Sequence, residues 1–109
     1  MKATKQTIHN AVEYIKEKVD PEKIYLFGSY ANGTPTDNSD LDFFIIKDTD
    51  LPKHERAVGL YALGKSQRIG TPIGIDFVVY TPDEFESGKR ELNTIASEVA
   101  RTGILMYAR

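Results

Sequence analysis

The apolar run LDFFII at residues 41–46 restricts the fold more than any other stretch of this sequence. Its Phe and Ile residues favour β-structure. Consecutive apolar residues, unlike alternating ones, are typical of a strand that is buried on both faces. We therefore interpret Phe43 to Ile46 as the core of a sheet and not as a functional surface.

Strand and helix patterns alternate along the rest of the chain. Three more strands are predicted, at residues 24–27, 72–80 and 104–107, the last as a short edge strand. Five helical segments are predicted: residues 4–19, a turn at 29–32, Lys53 to about Arg68, a helix that starts with the capping box Thr81 to Glu84, and a last helix outlined by Leu92, Ile95, Ala96 and Val99. This order predicts an α/β (α+β) fold, a β-sheet with helices packed on it.

Length, charge and cysteine content limit the classes of function. The 109 residues suffice for one domain, which we expect to span residues 1–109. A formal net charge of −2 gives no general attraction to nucleic acid or anionic membranes, so neither is an expected partner. The polar, amphipathic start of the chain contains no recognisable signal peptide or membrane span, which predicts a cytoplasmic protein.

Two carboxylates open the apolar run. Because side chains on a strand alternate between faces, Asp40 and Asp42 are expected on the same face, where they repel each other. One of them can stay protonated, both can be solvated, or a divalent cation can lie between them. The chain has no cysteine, and no histidine lies nearby in sequence, which favours Mg²⁺ as that cation.

Asp76 is a third candidate, because it interrupts the strongly apolar stretch IGIDFVVY, where an isolated charge would be costly. If its strand lies beside that of Asp42, three carboxylates converge in a way that suits two metal ions and a phosphoryl or nucleotidyl displacement. Asp76 is then available to accept the proton of the attacking hydroxyl. The alternative is a structural Asp76 that pairs with a backbone, Lys or Arg donor.

The Gly28-Ser29 step follows a predicted strand directly. A glycine there lets a phosphate approach the backbone closely, and the Ser29 hydroxyl and the following N–H groups can donate to phosphate oxygens. Taken alone, Gly28 is equally consistent with a tight turn and Ser29 with a helix cap. Tyr30, the next residue, either stacks on a base or packs in the protein.

Together, Gly28-Ser29, ten intervening residues and the triplet from Asp40 to Asp42 resemble the signature of the DNA polymerase β-type nucleotidyltransferase superfamily. The stretch FGSYA at residues 27–31, in so short a chain, is similar to the minimal nucleotidyltransferases of HEPN/MNT toxin–antitoxin pairs. In one departure from the family pattern, Asn32 stands where many relatives carry an arginine, which could help to neutralise phosphate charge.

The resemblance implies a mixed sheet in the nucleotidyltransferase fold, Mg²⁺ as cofactor and ATP as substrate. It assigns phosphate binding to Gly28 and Ser29, metal binding to Asp40 and Asp42, and the third carboxylate to Asp76. It further implies a HEPN toxin as partner, silenced by transfer of AMP to a tyrosine hydroxyl, as in a type VII-like toxin–antitoxin pair.

Two other functions stay open. The chain can be an antitoxin that neutralises its toxin by binding alone, or a transferase for a small molecule such as an aminoglycoside, although the missing acceptor-binding domain argues against the latter. Whether the antitoxin acts by AMP transfer or by binding alone, we expect an exposed apolar patch near the active face or the last helix.

Overall fold

A four-stranded sheet forms the centre of the protein in a computed structural model that describes residues 2–61, 65–70 and 73–109. Its strands are β1 (Lys23–Phe27), β2 (Leu41–Ile46), β3 (Ile75–Tyr80) and β4 (Ile104–Ala108), in the spatial order β3-β2-β1-β4. β1 pairs antiparallel with β2 and β4, whereas β2 pairs parallel with β3. The predicted mixed sheet is therefore confirmed, with β4 at one edge as expected.

The helical segments follow the predicted order, with one interruption. They are α1 (Lys5–Val19), α2 (Ser29–Asn32), α3 (Lys53–Arg56), a 3₁₀ helix (Val58–Tyr61), α4 (Lys65–Ile69), α5 (Pro82–Gly88) and α6 (Ile95–Thr102). The prediction of one helix from Lys53 to about Arg68 was wrong, because α3 ends at Arg56, Ala57 caps it, and a separate 3₁₀ helix follows. Residues 62–64 of that prediction, and Pro72 at the predicted start of β3, lie outside the described residues. No helix among the described residues has the length and apolar character that crossing a bilayer requires.

Threonine side chains cap the starts of α1, α5 and α6. The Thr4 hydroxyl accepts from the Thr7 N–H at the start of α1. The predicted capping box of Thr81 and Glu84 is present at the start of α5. A second box begins α6 at Thr94, so Leu92 lies outside that helix, contrary to the prediction, and is 88% exposed.

The sheet separates two hydrophobic cores. One face packs against α1, and its core includes Ile15, Phe43 and Phe77. The other face packs against α5 and α6 through Phe44, Phe85 and further apolar residues. Phe43 and Phe44 are both fully buried in different cores, which confirms that β2 is covered on both faces.

Side chains cover the outer edge of β3. The Phe77 N–H donates to the Tyr61 hydroxyl at 2.9 Å, and Arg56 Nη1 donates to the Val79 carbonyl at 3.3 Å. These contacts satisfy backbone groups that would otherwise be open to another strand. They also hold the segment before β3 against the strand that carries Asp76.

Candidate active site

The register of β2 and β3 brings two of the predicted carboxylates together. Asp42 and Asp76 are directly paired across the parallel strands, and Phe27 at the end of β1 pairs with Asp42 from the other side. Asp40 precedes β2 by one residue, where its carboxylate lies against Gly74. Asp40 and Asp76 are exposed and Asp42 is half-buried, so the carboxylates form an open surface at the start of β2 and β3.

Burial and negatively charged neighbours both destabilise the ionised form of Asp42. Burial, followed by the negative charges of Asp76 and Asp40, raises the pKa of Asp42 to about 6. A side-chain hydrogen bond with Asp76 and the charge of Glu98 on α6 act in the same direction. The site thus favours either a retained proton or a cation on Asp42.

Within the described residues, no ion pair with a cationic side chain relieves this repulsion. None of the ion pairs within the described residues includes Asp40, Asp42 or Asp76. The alternative that Asp76 is paired with a Lys or Arg therefore finds no support in the described part of the chain. Within that part, no group of three or more Asp, Glu or His side chains is arranged closely enough to hold a metal ion.

Gly28 and Ser29 lie beside these carboxylates. Gly28 caps the short helix α2 with a φ of +78°, a conformation that L side chains rarely adopt. A methyl group on Gly28 would overlap the Asp42 carboxylate, so the glycine is needed both for its backbone conformation and for its missing side chain. The Gly28 carbonyl accepts from the N–H groups of Ala31 and Asn32, and the half-buried Ser29 is the first residue of α2.

The remaining polar and aromatic residues of this region differ in their contacts. The Tyr30 hydroxyl accepts from the Ala3 N–H at 2.8 Å and its ring packs against the α1 core, which supports the packing interpretation. Asn32 is exposed at the end of α2. Lys65 lies over the rings of Tyr61 and Phe77, and Phe77 belongs to the α1 core on the opposite face from Asp42.

Sequence reasoning missed two residues near the carboxylates. Gly74 provides the space that the Asp40 side chain occupies, and Glu98 adds negative charge to the surroundings of Asp42. Gly74 precedes Asp76 by the same two-residue step that separates Asp40 from Asp42. The pairing register of β2 and β3 places Gly74 beside Asp40 and Asp76 beside Asp42, and this register cannot be read from the sequence. No sequence signal distinguishes Glu98 from other helix-surface carboxylates.

Comparison with known proteins identifies a family. Residues 9–109 match the family model described as Polymerase beta, Nucleotidyltransferase. No curated protein sequence matches the chain.

Three solved structures share the fold at 20% sequence identity. A toxin–antitoxin crystallised with AMP-PNP superimposes with a TM-score of 0.65, over 97% of this chain and 75% of that one. A toxin–antitoxin MntA–HpeT mutant, with two aspartates two positions apart changed to glutamate, gives 0.59 over 93% and 73%. A putative nucleotidyltransferase from Sulfolobus solfataricus gives 0.53 over 100% and 93%. At this level of identity, the structures establish a shared fold.

Proposed function

Because the chain belongs to the polymerase beta nucleotidyltransferase family, we propose that it transfers AMP from ATP, with Mg²⁺, to a tyrosine hydroxyl of a partner HEPN toxin. It would thereby act as the antitoxin of a type VII-like pair. The observation that carries this proposal is the direct pairing of Asp42 with Asp76, beside the turn formed by Gly28 and Ser29. The reaction consumes ATP, so we place it in the cytoplasm.

The donor set of the site fits Mg²⁺. Asp40, Asp42 and Asp76 offer hard oxygen atoms, and no cationic side chain of the described residues neutralises them. Mg²⁺ usually binds one or two protein carboxylates and completes its coordination with water and substrate phosphates. A protein without a closed group of three ligands is compatible with that mode of binding, since the triphosphate supplies the missing oxygen atoms. When bound, one or two Mg²⁺ ions would offset the charge of the triphosphate and favour ionisation of the attacking hydroxyl.

Each residue of the site has a separate role in the proposal. The Ser29 hydroxyl donates to a phosphate oxygen, and Gly28 leaves the backbone accessible to that phosphate. Asp40, Asp42 and Asp76 would hold the cation. Asp76 would also accept the proton of the incoming hydroxyl, because it is exposed to an acceptor whereas Asp42 is half-buried.

The proposed reaction is an in-line displacement at the α-phosphorus of ATP. The tyrosine oxygen forms a bond to that phosphorus while the bond to the oxygen that bridges the α- and β-phosphates breaks. Pyrophosphate leaves with that bonding pair, and the tyrosine proton passes to the Asp76 carboxylate. The product is an AMP–tyrosine phosphodiester on the partner protein.

The choice of partner rests on the solved relatives. One is a toxin–antitoxin crystallised with AMP-PNP, an ATP analogue, which supports both a nucleotide and a toxin for this chain. Another carries changes at two aspartates with the spacing of Asp40 and Asp42. Large exposed apolar side chains lie at both ends of α6 and are available to a partner: Leu92 before the helix, Ile95 at its first residue, and Ile104 and Leu105 at the start of β4.

Label transfer tests the proposal. The protein is incubated with α-³²P-labelled ATP, Mg²⁺ and a HEPN protein encoded beside its gene, and the labelled residue is identified by mass spectrometry. We expect label on a HEPN tyrosine with the parent protein and none with Asp42→Asn. The variant Asp50→Asn, which changes an exposed aspartate in the loop after β2, serves as the matched control and should label normally. Equal labelling, or equal absence of labelling, by the parent and Asp42→Asn would refute catalysis at this site.

A non-catalytic antitoxin is the second candidate. It is favoured by the lack of a preformed group of three metal ligands among the described residues. Expression of the double variant Asp40→Asn/Asp42→Asn with the toxin separates the two functions. Lost protection of the cells supports transfer, whereas full protection supports neutralisation by binding.

A further inference from the structure

The carboxylates lie in rows across the start of β2 and β3. Because the strands are parallel and Leu41 pairs with Ile75, Asp42 faces Asp76 in one row, and Asp40 lies next to Gly74 in the row before it. The Leu41 N–H donates to the Gly74 carbonyl at 2.9 Å, which fixes this alignment. Three of the four positions in these two rows carry carboxylates, and the fourth has no side chain.

The Asp40 carboxylate fills the place that a side chain at position 74 would take. A Cβ on Gly74 would overlap Asp40 Oδ1, lie 2.8 Å from Asp40 Cγ and lie 3.3 Å from Asp40 Oδ2. These three nearest heavy atoms all belong to the end of one exposed side chain. Alanine at this position would therefore move the carboxylate and leave the core untouched.

The backbone of Gly74 does not require glycine. The glycines with positive φ among the described residues are Gly28, Gly33 and Gly70, so Gly74 has a conformation that alanine adopts without strain. Gly28 differs in this respect, because its φ of +78° would strain any side chain regardless of space. Neither the backbone nor the core accounts for a glycine at position 74, whereas the position of Asp40 does.

We propose that Gly74 is a positioning residue whose missing side chain keeps the Asp40 carboxylate beside Asp42 and Asp76, where it binds the Mg²⁺–nucleotide substrate. This inference rests on the proposed function, because it assigns Asp40 to substrate binding. It adds the requirement that residue 74, two positions before Asp76, has no side chain.

Binding and stability measurements on Gly74→Ala test the inference. Titration of the full chain with Mg²⁺ and AMP-PNP in a calorimeter should show affinity at least about tenfold weaker for the variant, as is common when the support of a metal ligand is disturbed. Its melting temperature should equal or exceed that of the parent, because alanine restricts the unfolded chain. Gly59→Ala is the matched control, since a Cβ there meets no atom within 4 Å, and it should bind like the parent.

A double-mutant cycle separates positioning from a general structural effect. If Gly74 acts through Asp40, then Gly74→Ala weakens binding in the parent but causes no further loss in an Asp40→Ala background. Equal losses in both backgrounds, unchanged affinity of Gly74→Ala, or a lower melting temperature would each overturn the inference. A parent protein that does not bind Mg²⁺–AMP-PNP at all would refute the proposed function, and this inference with it.

Discussion

Asp42 and Asp76 are neighbours, but their surroundings differ. Asp42 is half-buried and packs against Gly28, and its pKa is raised to about 6. Asp76 is exposed on the edge strand. A half-buried carboxylate is suited to hold a cation in a fixed place. An exposed one is suited to meet a hydroxyl that arrives from another molecule.

Replacing Asp76 should therefore affect turnover more than nucleotide binding. We expect Asp76→Asn to lower the rate of AMP transfer by about 10²- to 10⁴-fold, the usual contribution of a general base, and to weaken AMP-PNP binding far less. Single-turnover rates and calorimetric titration of the same preparation measure the two effects. If Asp76→Asn lost binding and turnover equally, Asp76 would be a metal ligand without a role in proton transfer.

At the level of residues, the sequence indicates candidate site residues more readily than the residues that support them. Asp40, Asp42, Asp76 and the Gly28-Ser29 step stand out because their spacing or their apolar surroundings are unusual. Gly74 does not stand out, because its role depends on which residue of β2 lies beside it. The alignment of two strands is set by tertiary packing, so a single sequence contains no direct signal for it.

At the level of secondary structure, the strands and the start of α5 were predictable, whereas the start of α6 and the segment between β2 and β3 were not. The capping box of Thr81 and Glu84 acts locally, so the sequence shows it. The helix predicted from Lys53 failed because the chain follows the edge of β3, where Arg56 and Tyr61 bond to its backbone. These bonds join residues distant in sequence and override a helical apolar spacing.

The pair formed by Arg56 and Glu84 should stabilise the start of α5 in a pH-dependent manner. The Arg56 side chain is 8% exposed and donates to both carboxylate oxygens of Glu84, and it lowers the pKa of Glu84 to about 2. Because the folded-state pKa lies below the ordinary value of 4.5, the stabilisation is complete above that value and is lost as the pH falls towards 2.

The variant Glu84→Gln measures this contribution. We expect it to lower the free energy of unfolding by about 1–3 kcal/mol at pH 7, since it leaves a nearly buried guanidinium without its anion. In urea titrations the difference from the parent should shrink between pH 4.5 and pH 3. The control Glu86→Gln alters an exposed pair with Lys89 on the same helix and should change little. A difference that stays constant over this pH range would contradict the assignment.

Removing the Tyr61 hydroxyl should open the edge of β3. In Tyr61→Phe the Phe77 N–H loses its acceptor, so its hydrogen exchange should accelerate and unfolding should become easier by about 0.5–1.5 kcal/mol. Amide exchange followed by NMR measures the first effect and urea titration the second. Unchanged exchange at Phe77 would show that another group covers this edge.

At the level of the whole molecule, we propose that residues 1–109 act as a single domain. The two cores share β1, β2 and β3, and within the described residues α1 on one face and α5 and α6 on the other have no sheet of their own. Because the cores pack on opposite faces of the same strands, loss of one core should destabilise these strands and therefore the other core.

Matched changes in the two cores test this cooperativity. Phe43→Leu and Phe44→Leu alter neighbouring, fully buried rings that belong to different cores. Each should lower the free energy of unfolding by about 1–3 kcal/mol. In both variants the far-UV and near-UV circular dichroism transitions should coincide. Separate transitions in either variant would show that the two layers unfold independently.

The geometry of the whole site can be tested most directly with a crystal grown with Mn²⁺, as a stand-in for Mg²⁺, and AMP-PNP. We predict an anomalous difference peak in contact with the carboxylates of Asp42 and Asp76, with Asp40 beside it and the phosphates of the nucleotide against Ser29. A nucleotide bound elsewhere, or an occupied site in which Asp76 turns away from the metal and the α-phosphate, would contradict the proposed chemistry.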